Sequence, residues 1–481
     1  MRFLSKIRER QFAKKWGSTY NLSRAVLAGV LAAGCLMPGF AEAAAQLLHS
    51  SDVVCTKVEN TATITKNIES DEFIRVIYWH PGYGEKDVKD CTINVDNKII
   101  GPTIKIYGGY TTSTSDEANG NSVRISGSTI KGEVNGGYSL SGTATNNIVS
   151  ISGSTSTING WVHGGSSESG TAYKNQVSID GGTFNNVVCG GYSVFDTAEE
   201  NQVSIDGGTF NANVYGGQGT TAANRNSVII NAGTINSLIC GGDGYTAEGN
   251  SVEINGGTIN AEVSGGFSQY GKANNNKVSI SGGEFYYNVY GGYGATAANG
   301  NSVEINGGTI NSYVFGGFSE SGTAEGNSVE ISGGTINDDV RVWGGWAESN
   351  SGNANGNSVI ISGGTFNGNV RVWGGLSQSG TANKNRVIIS GGKFYNRVYG
   401  GEGEKAADEN RVIISGGKFS RCWVYGGYSL NGTANRNQVI ISDGTFDGNV
   451  VGGSSTKEAK DNKIVLLGNN ASYTFTNAHV R

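Results

Sequence analysis

Residues 301–317 read NSVEINGGTINSYVFGG, and the pattern inside this stretch decides the fold. Val303, Ile305, Ile310 and Val314 are apolar, while Ser302, Glu304 and Asn311 between them are polar. Alternation at period two, cut by Gly pairs, marks two short strands rather than a helix. Four such side chains make no core alone. The stretch recurs instead, as Asn-x-Val-x-Ile-(Ser/Asn/Asp)-Gly-Gly-Thr-(Phe/Ile)-Asn-x-x-Val-(aromatic)-Gly-Gly, every 24 to 30 residues to the end of the chain, with a Ser/Gly/Thr/Ala-rich connector between copies.

The opening Asn is never missing. It stands at Asn121, Asn147, Asn175, Asn201, Asn226, Asn250, Asn276, Asn301, Asn327, Asn357, Asn385, Asn410, Asn437 and Asn462. These repeats predict an all-β β-solenoid of about 14 coils, in which each apolar column is buried by the same column one strand spacing, about 4.8 Å, above and below. The Asn column is expected to point inward as a structural ladder, each amide bonding to the next, because a buried amide without partners is costly. Gly pairs suit tight corners with positive φ. No proline follows Pro102, as expected where every N–H joins a sheet. A calcium-loaded β-roll needs an Asp in each turn, where this chain has mostly Ser or Asn (Ser126, Asn255, Ser281, Ser332, Ser362, Ser390).

Outside the repeats, residues 1–43 carry the marks of a signal peptide. Arg2, Lys6, Arg8, Arg10, Lys14, Lys15 and Arg24 precede an uncharged run from Ala25 to Phe40, then Ala41-Glu42-Ala43. The run is shorter than the roughly 20 residues of a membrane span. Ala32-Ala33-Gly34-Cys35 also fits a lipoprotein box, so lipidation at Cys35 stays open. Removing this segment takes 7 of 35 Lys+Arg and 2 of 40 Asp+Glu, leaving 28 against 38 and a net charge of -10. An acidic chain without a basic stripe is not expected to bind nucleic acid.

The domain reading is therefore 1–43 signal peptide, 44–105 N-terminal cap region, and 106–481 solenoid repeats, apparently truncated at the C-terminus. Cys55 and Cys91 in the cap suggest a disulfide outside the cell. Cys189 and Cys240 share a column with Tyr215 between them, so they lie about 9.6 Å apart, too far for a bridge.

An exported chain with a long signal, a cap and Gly/Asn/Ser-rich coils resembles the passenger domain of a Gram-negative autotransporter, a type V secreted adhesin. The resemblance implies a right-handed parallel β-helix, display at the bacterial surface in association with the outer membrane, and roles in adhesion or self-association. It implies partners among host or bacterial surface glycans or proteins, further copies of itself included. It also implies an outer-membrane translocator barrel, for which the sequence up to Arg481 shows no strands.

Catalysis is the competing class, because many β-helices act on polysaccharides. The four His (His49, His80, His163, His479) are scattered, so no metal cluster or triad is expected. Asp180 and Asp206 fall in one column of neighbouring coils, but that column holds Ser, Asn or Asp before Gly throughout, which is turn chemistry. No catalytic, cofactor-binding or metal-binding residue is expected, and the chain reads as a non-enzyme; a passive spacer or lipoprotein stalk is the remaining alternative. The candidate contact stripe is Tyr290, Phe315, Trp343, Trp373, Tyr399 and Tyr425. Each follows an inward Val, so alternation points the ring outward, either as an exposed binding surface or as a self-stacking ladder.

Overall fold

The computed structural model describes residues 90–468 except 103, 112–116 and 350–351, together with the backbone of the strands Thr61–Ile64, Ile74–Arg75, Val88–Lys89 and Tyr473–Phe475. The expected signal segment, Cys35, Cys55, His49, His80 and His479 lie outside the described residues.

All described strands pair in parallel, and no helix occurs among the described residues. The result is a β-solenoid of about 14 turns with three sheets. The coil opened by Asn301 shows the design. Ser302–Ile305 belongs to the first sheet, Thr309–Ile310 to the second and Val314–Ser319 to the third. Gly308 makes the first corner at φ 79, a conformation that a side chain would strain. Val303, Ile305, Ile310 and Val314 point inward and are fully buried, stacked on their counterparts in one continuous core from Cys91 to Val450. Register is strict: Val303 pairs with Val278 and Val329, and Val314 with Val289 and Val342. A slip by one residue would turn every apolar side chain outward.

The stacking runs on into the segment expected as a cap. Thr92–Asp96 pairs with Ser122–Ser126 on one side and Thr61–Ile64 on the other. Cys91 stands where later coils have the opening Asn, and its backbone N–H donates to Asn121 Oδ1 at 3.1 Å.

The Asn column runs unbroken from there. In each coil the Oδ1 of one Asn accepts two hydrogen bonds from the Asn before it, one from the backbone N–H and one from Nδ2. For Asn301 the donors are Asn276 N (2.9 Å) and Asn276 Nδ2 (3.0 Å); Asn301 in turn donates to Asn327 Oδ1 from N (2.8 Å) and Nδ2 (3.1 Å). The same pair of hydrogen bonds links Asn121 to Asn147 at one end and Asn437 to Asn462 at the other. The second amide hydrogen of Asn301 reaches the carbonyl of Ala273, the small residue that stands three positions before Asn276 in the preceding coil. Ala273 is itself fully buried. The third-sheet Gly pair has a related cause: a Cβ on Gly292 would lie 2.3 Å from Asn301 Oδ1.

Replacing Asn301 by Leu therefore leaves two donors of Asn276 without an acceptor inside the stack. The expected cost is about 1–3 kcal/mol for each orphaned group, read as a lower denaturation midpoint. A midpoint equal to that of the parent would mean the ladder does not hold the coils together.

Candidate functional site

The third sheet carries the feature that distinguishes this chain from a plain rod. After the inward Val, two outward residues flank the Gly pair in each coil, as Phe315 and Phe318 flank Gly316 and Gly317. Strict alternation would place residues three apart on opposite faces. The Gly pair breaks it, because Gly317 lies against the Asn327 amide and leaves both neighbouring side chains outside. Three columns result: a floor that includes Phe315, one bank that includes Tyr313, and a second bank that includes Phe318.

The floor holds the six rings of the expected contact stripe. They stack face to face: Tyr290–Phe315 at 4.7 Å, Phe315–Trp343 at 4.7 Å, Trp343–Trp373 at 5.1 Å, Trp373–Tyr399 at 5.6 Å and Tyr399–Tyr425 at 5.1 Å, with interplanar angles of 6–14°. The rings lie outside the core, as alternation requires, and of the two readings they take the self-stacking ladder and not the exposed binding surface. All six are buried, Trp343 to 1% exposure. Both banks fold over them: Trp346 packs on Trp343 at 4.9 Å, and Tyr313 meets Trp343 edge-on at 5.7 Å. The stripe is thus a self-stacking ladder at the bottom of a groove, and the surface open to a partner is its banks.

Those banks are mostly half-buried, with Arg397 and Trp423 exposed and Phe318 buried, and they are chemically mixed. One is formed by Asn288, Tyr313, Arg341, Arg371, Arg397 and Trp423, the last 43% exposed. Arg341 and Arg371 are directly registered, and the Arg341 guanidinium lies 5.3 Å from the Tyr313 ring centroid. The second bank is formed by Tyr293, Phe318, Trp346, Leu376, Glu402 and Tyr428. Glu402 accepts from Trp373 Nε1 at 2.6 Å, and Arg397 Nη1 donates to the Tyr399 hydroxyl at 3.1 Å. Burial raises the Glu402 carboxyl above the usual range, against the opposing pull of Trp373 and Arg397.

The N-terminal stretch of the same floor is built differently. Asn135, His163, Cys189, Tyr215, Cys240 and Ser264 occupy the column. His163 is 2% exposed and bonds Asn135 Oδ1 through Nδ1 at 3.1 Å; burial pushes its pKa down to about 4, although Glu133 at 3.7 Å acts in the other direction. It is neutral at physiological pH. Cys189 and Cys240 are separate buried thiols with Tyr215 paired between them, and Cys422 is buried in the core. Cys91 is buried, while its proposed partner Cys55 lies outside the described residues.

Among the described residues no group of three or more His, Cys, Asp and Glu is placed to hold a metal ion. Asp180 and Asp206 sit exposed at the first corner of successive coils, and Asp206 accepts from Asn231 Nδ2 at 2.6 Å, one rung of an outer polar row. A further row missed in the sequence follows the second sheet, where Asn185 bonds Asn159 and Asn211 bonds Asn185. Its signal was present, since the Asn after Thr-(Phe/Ile) recurs in most coils. The fold and site together define a parallel β-solenoid with an external aromatic groove. Compared with known proteins, the chain matches no family model, no curated protein and no solved structure.

Two outcomes follow from this chemistry. Burial raises the thiols of Cys189, Cys240 and Cys422, so iodoacetamide should leave all three unlabelled in the folded chain and alkylate them in denaturant; labelling of Cys189 in the folded chain would contradict the packing around it. The raised Glu402 carboxyl makes its ionised form less favourable folded than unfolded. That penalty is present above the folded pKa and vanishes as pH falls below the ordinary Glu value of about 4.3. Glu402→Gln keeps an acceptor for the Trp373 indole, so it should be more stable than the parent near neutral pH and lose this advantage in acid; a pH-independent difference would refute the assignment.

Proposed function

We propose that this chain is an exported β-solenoid displayed at a bacterial surface, with residues 1–43 as its signal peptide, and that it acts as an adhesin or self-association protein in the manner of an autotransporter passenger. The observation that carries the reading is the groove along the third sheet, whose banks present aromatic and charged side chains in register over successive coils. Flat rings offer contact area at low conformational cost, and aromatic and Arg side chains dominate binding energy at interfaces. A rod of about 14 coils at about 4.8 Å each spans roughly 65 Å, enough to repeat one weak contact many times along a polymer or a second rod. Partners would be surface glycans or proteins, or a second copy of this chain; a separate or in-frame outer-membrane barrel would supply export.

The test uses the banks, because the floor is structural. Tyr313→Ser, Trp346→Ser and Tyr428→Ser together remove half-buried bank side chains, whereas Trp343→Ser empties the ladder and should cost about 3–5 kcal/mol of stability by itself. Cells displaying matched amounts of the parent and of the triple variant are scored for attachment to host cells, to mucin and to each other. The triple variant should keep its β-sheet circular dichroism and lose most attachment in at least one assay. Equal attachment in all three would remove the groove from the function.

A further inference from the structure

One segment of the groove, between the coils opened by Asn327 and Asn357, is incomplete in a way that specifies a ligand. Trp343 Nε1 and Trp346 Nε1 are both buried and have no hydrogen-bond acceptor among the described residues. Buried donors without partners are rare and unfavourable. The next coil shows what is missing. There the Trp373 indole donates to Glu402, with the Arg397 guanidinium close to that carboxylate. One coil earlier the position of Glu402 is taken by Leu376, so Trp343 has the indole and the neighbouring arginines without the carboxylate.

The arginines also lack a counter-charge. Arg341 and Arg371 are Cα partners on adjacent strands, and neither has an ion-pair partner among the described residues. Like charges directly opposite are unfavourable. Other registered pairs of like charge, Arg386 with Arg411 and Lys393 with Lys418, are exposed to water. Arg341 and Arg371 are half-buried against the rings of the groove, where solvent relieves their repulsion less. The carboxylates of this region, Glu320 and Glu348, belong to the far side of the second bank, where Glu320 is bonded by the Tyr293 hydroxyl. An anion is therefore favoured over the floor between the arginine bank and Leu376, the place that the Glu402 carboxylate fills one coil later within reach of Arg397.

The geometry points to a subsite for an anionic saccharide. Resting on the proposed groove-contact function, the inference is that a carboxylate or sulfate of a sugar chain seats over the floor between the Arg341–Arg371 bank and Leu376, its oxygens accept from the unpartnered indoles of Trp343 and Trp346, and its ring lies on the aromatic bank. Both nitrogens are shielded within the groove. Half-exposed Trp346 must turn aside to admit the anion, which makes tryptophan emission a direct readout.

Purified full-length chain is titrated with oligogalacturonate, with heparin oligosaccharides and with neutral dextran, following tryptophan emission and heat at low and at physiological salt. Either acidic saccharide should bind and change the emission, weaken with salt, and bind at least about tenfold more weakly to Arg341→Ser/Arg371→Ser. Comparison of the two acidic probes assigns carboxylate or sulfate. Trp346→Phe, which keeps a ring and loses the donor, should bind several-fold more weakly, whereas Arg386→Ser/Arg411→Ser on the first sheet should bind like the parent. Dextran bound as tightly as the acidic probes, unaltered binding by the Arg341/Arg371 variant, or no binding of any saccharide overturns the subsite. Those results leave the groove-contact reading standing if cell attachment still depends on Tyr313, Trp346 and Tyr428, so the two failures are distinguishable.

Discussion

One hydrogen-bonded column holds the register on which everything else rests. Apolar columns alone are tolerant, since Val on Val and Ile on Ile stack nearly as well if a strand slides by two residues. The Asn column is not tolerant. Each Oδ1 must receive both the N–H and the Nδ2 of the preceding coil, and a slide leaves buried donors unanswered. Hydrophobic burial supplies the drive for stacking, while the amides select the one alignment in which every coil repeats the last. The rule extends backwards to Cys91, a buried residue in the Asn column whose backbone N–H donates to Asn121 Oδ1.

The groove is a consequence of the same constraint. The stacked amide leaves no room for a Cβ on the second Gly of each pair and the backbone carbonyl of the next coil leaves none on the first, and the Gly pair breaks the in-out alternation of the strand. Two side chains per coil then emerge on one face, close enough to cover each other. Aromatic residues fill that space over the C-terminal half of the groove, and stacked pairs are worth about 0.5–1.5 kcal/mol beyond the area they bury. The floor and the core are therefore two parallel stacks on opposite sides of one sheet, joined through the Val-aromatic step seen in Val342-Trp343 and Val372-Trp373.

How far this was legible in the sequence depends on which physical rule was in play. The coil, its inward columns and the aromatic column follow from periodicity, because spacing in the chain maps directly onto columns in a solenoid. Burial of the aromatic column does not, since it depends on residues three positions away across a bend that only the packed amide creates. Trp343 was correctly placed outside the core by alternation after Val342, yet its exposure is set by Trp346 and Tyr313, which the alternation rule treats separately. The segment ahead of residue 106 lacked the Asn-x-Val-x-Ile and Gly-Gly text. Its strand Thr92–Asp96 nevertheless pairs in register with Ser122–Ser126, because Ile93 and Val95 supply the two inward side chains the column needs.

Where neighbouring coils differ, the differences are chemical rather than structural. A solenoid fixes backbone position so strongly that one column can change from Asn135 and His163 through Cys189 and Tyr215 to Trp343 and Tyr425 without altering the pairing. Repetition makes the rod, and departures from repetition along a single column make places on it. The exchange of Leu376 for the carboxylate that Glu402 provides one coil later is such a departure: the backbone register is unchanged, but one indole is answered from within the chain and its neighbour is not. In a fold whose architecture is set by sameness, the positions where sameness lapses inside a half-buried groove are where selectivity for a partner can be written.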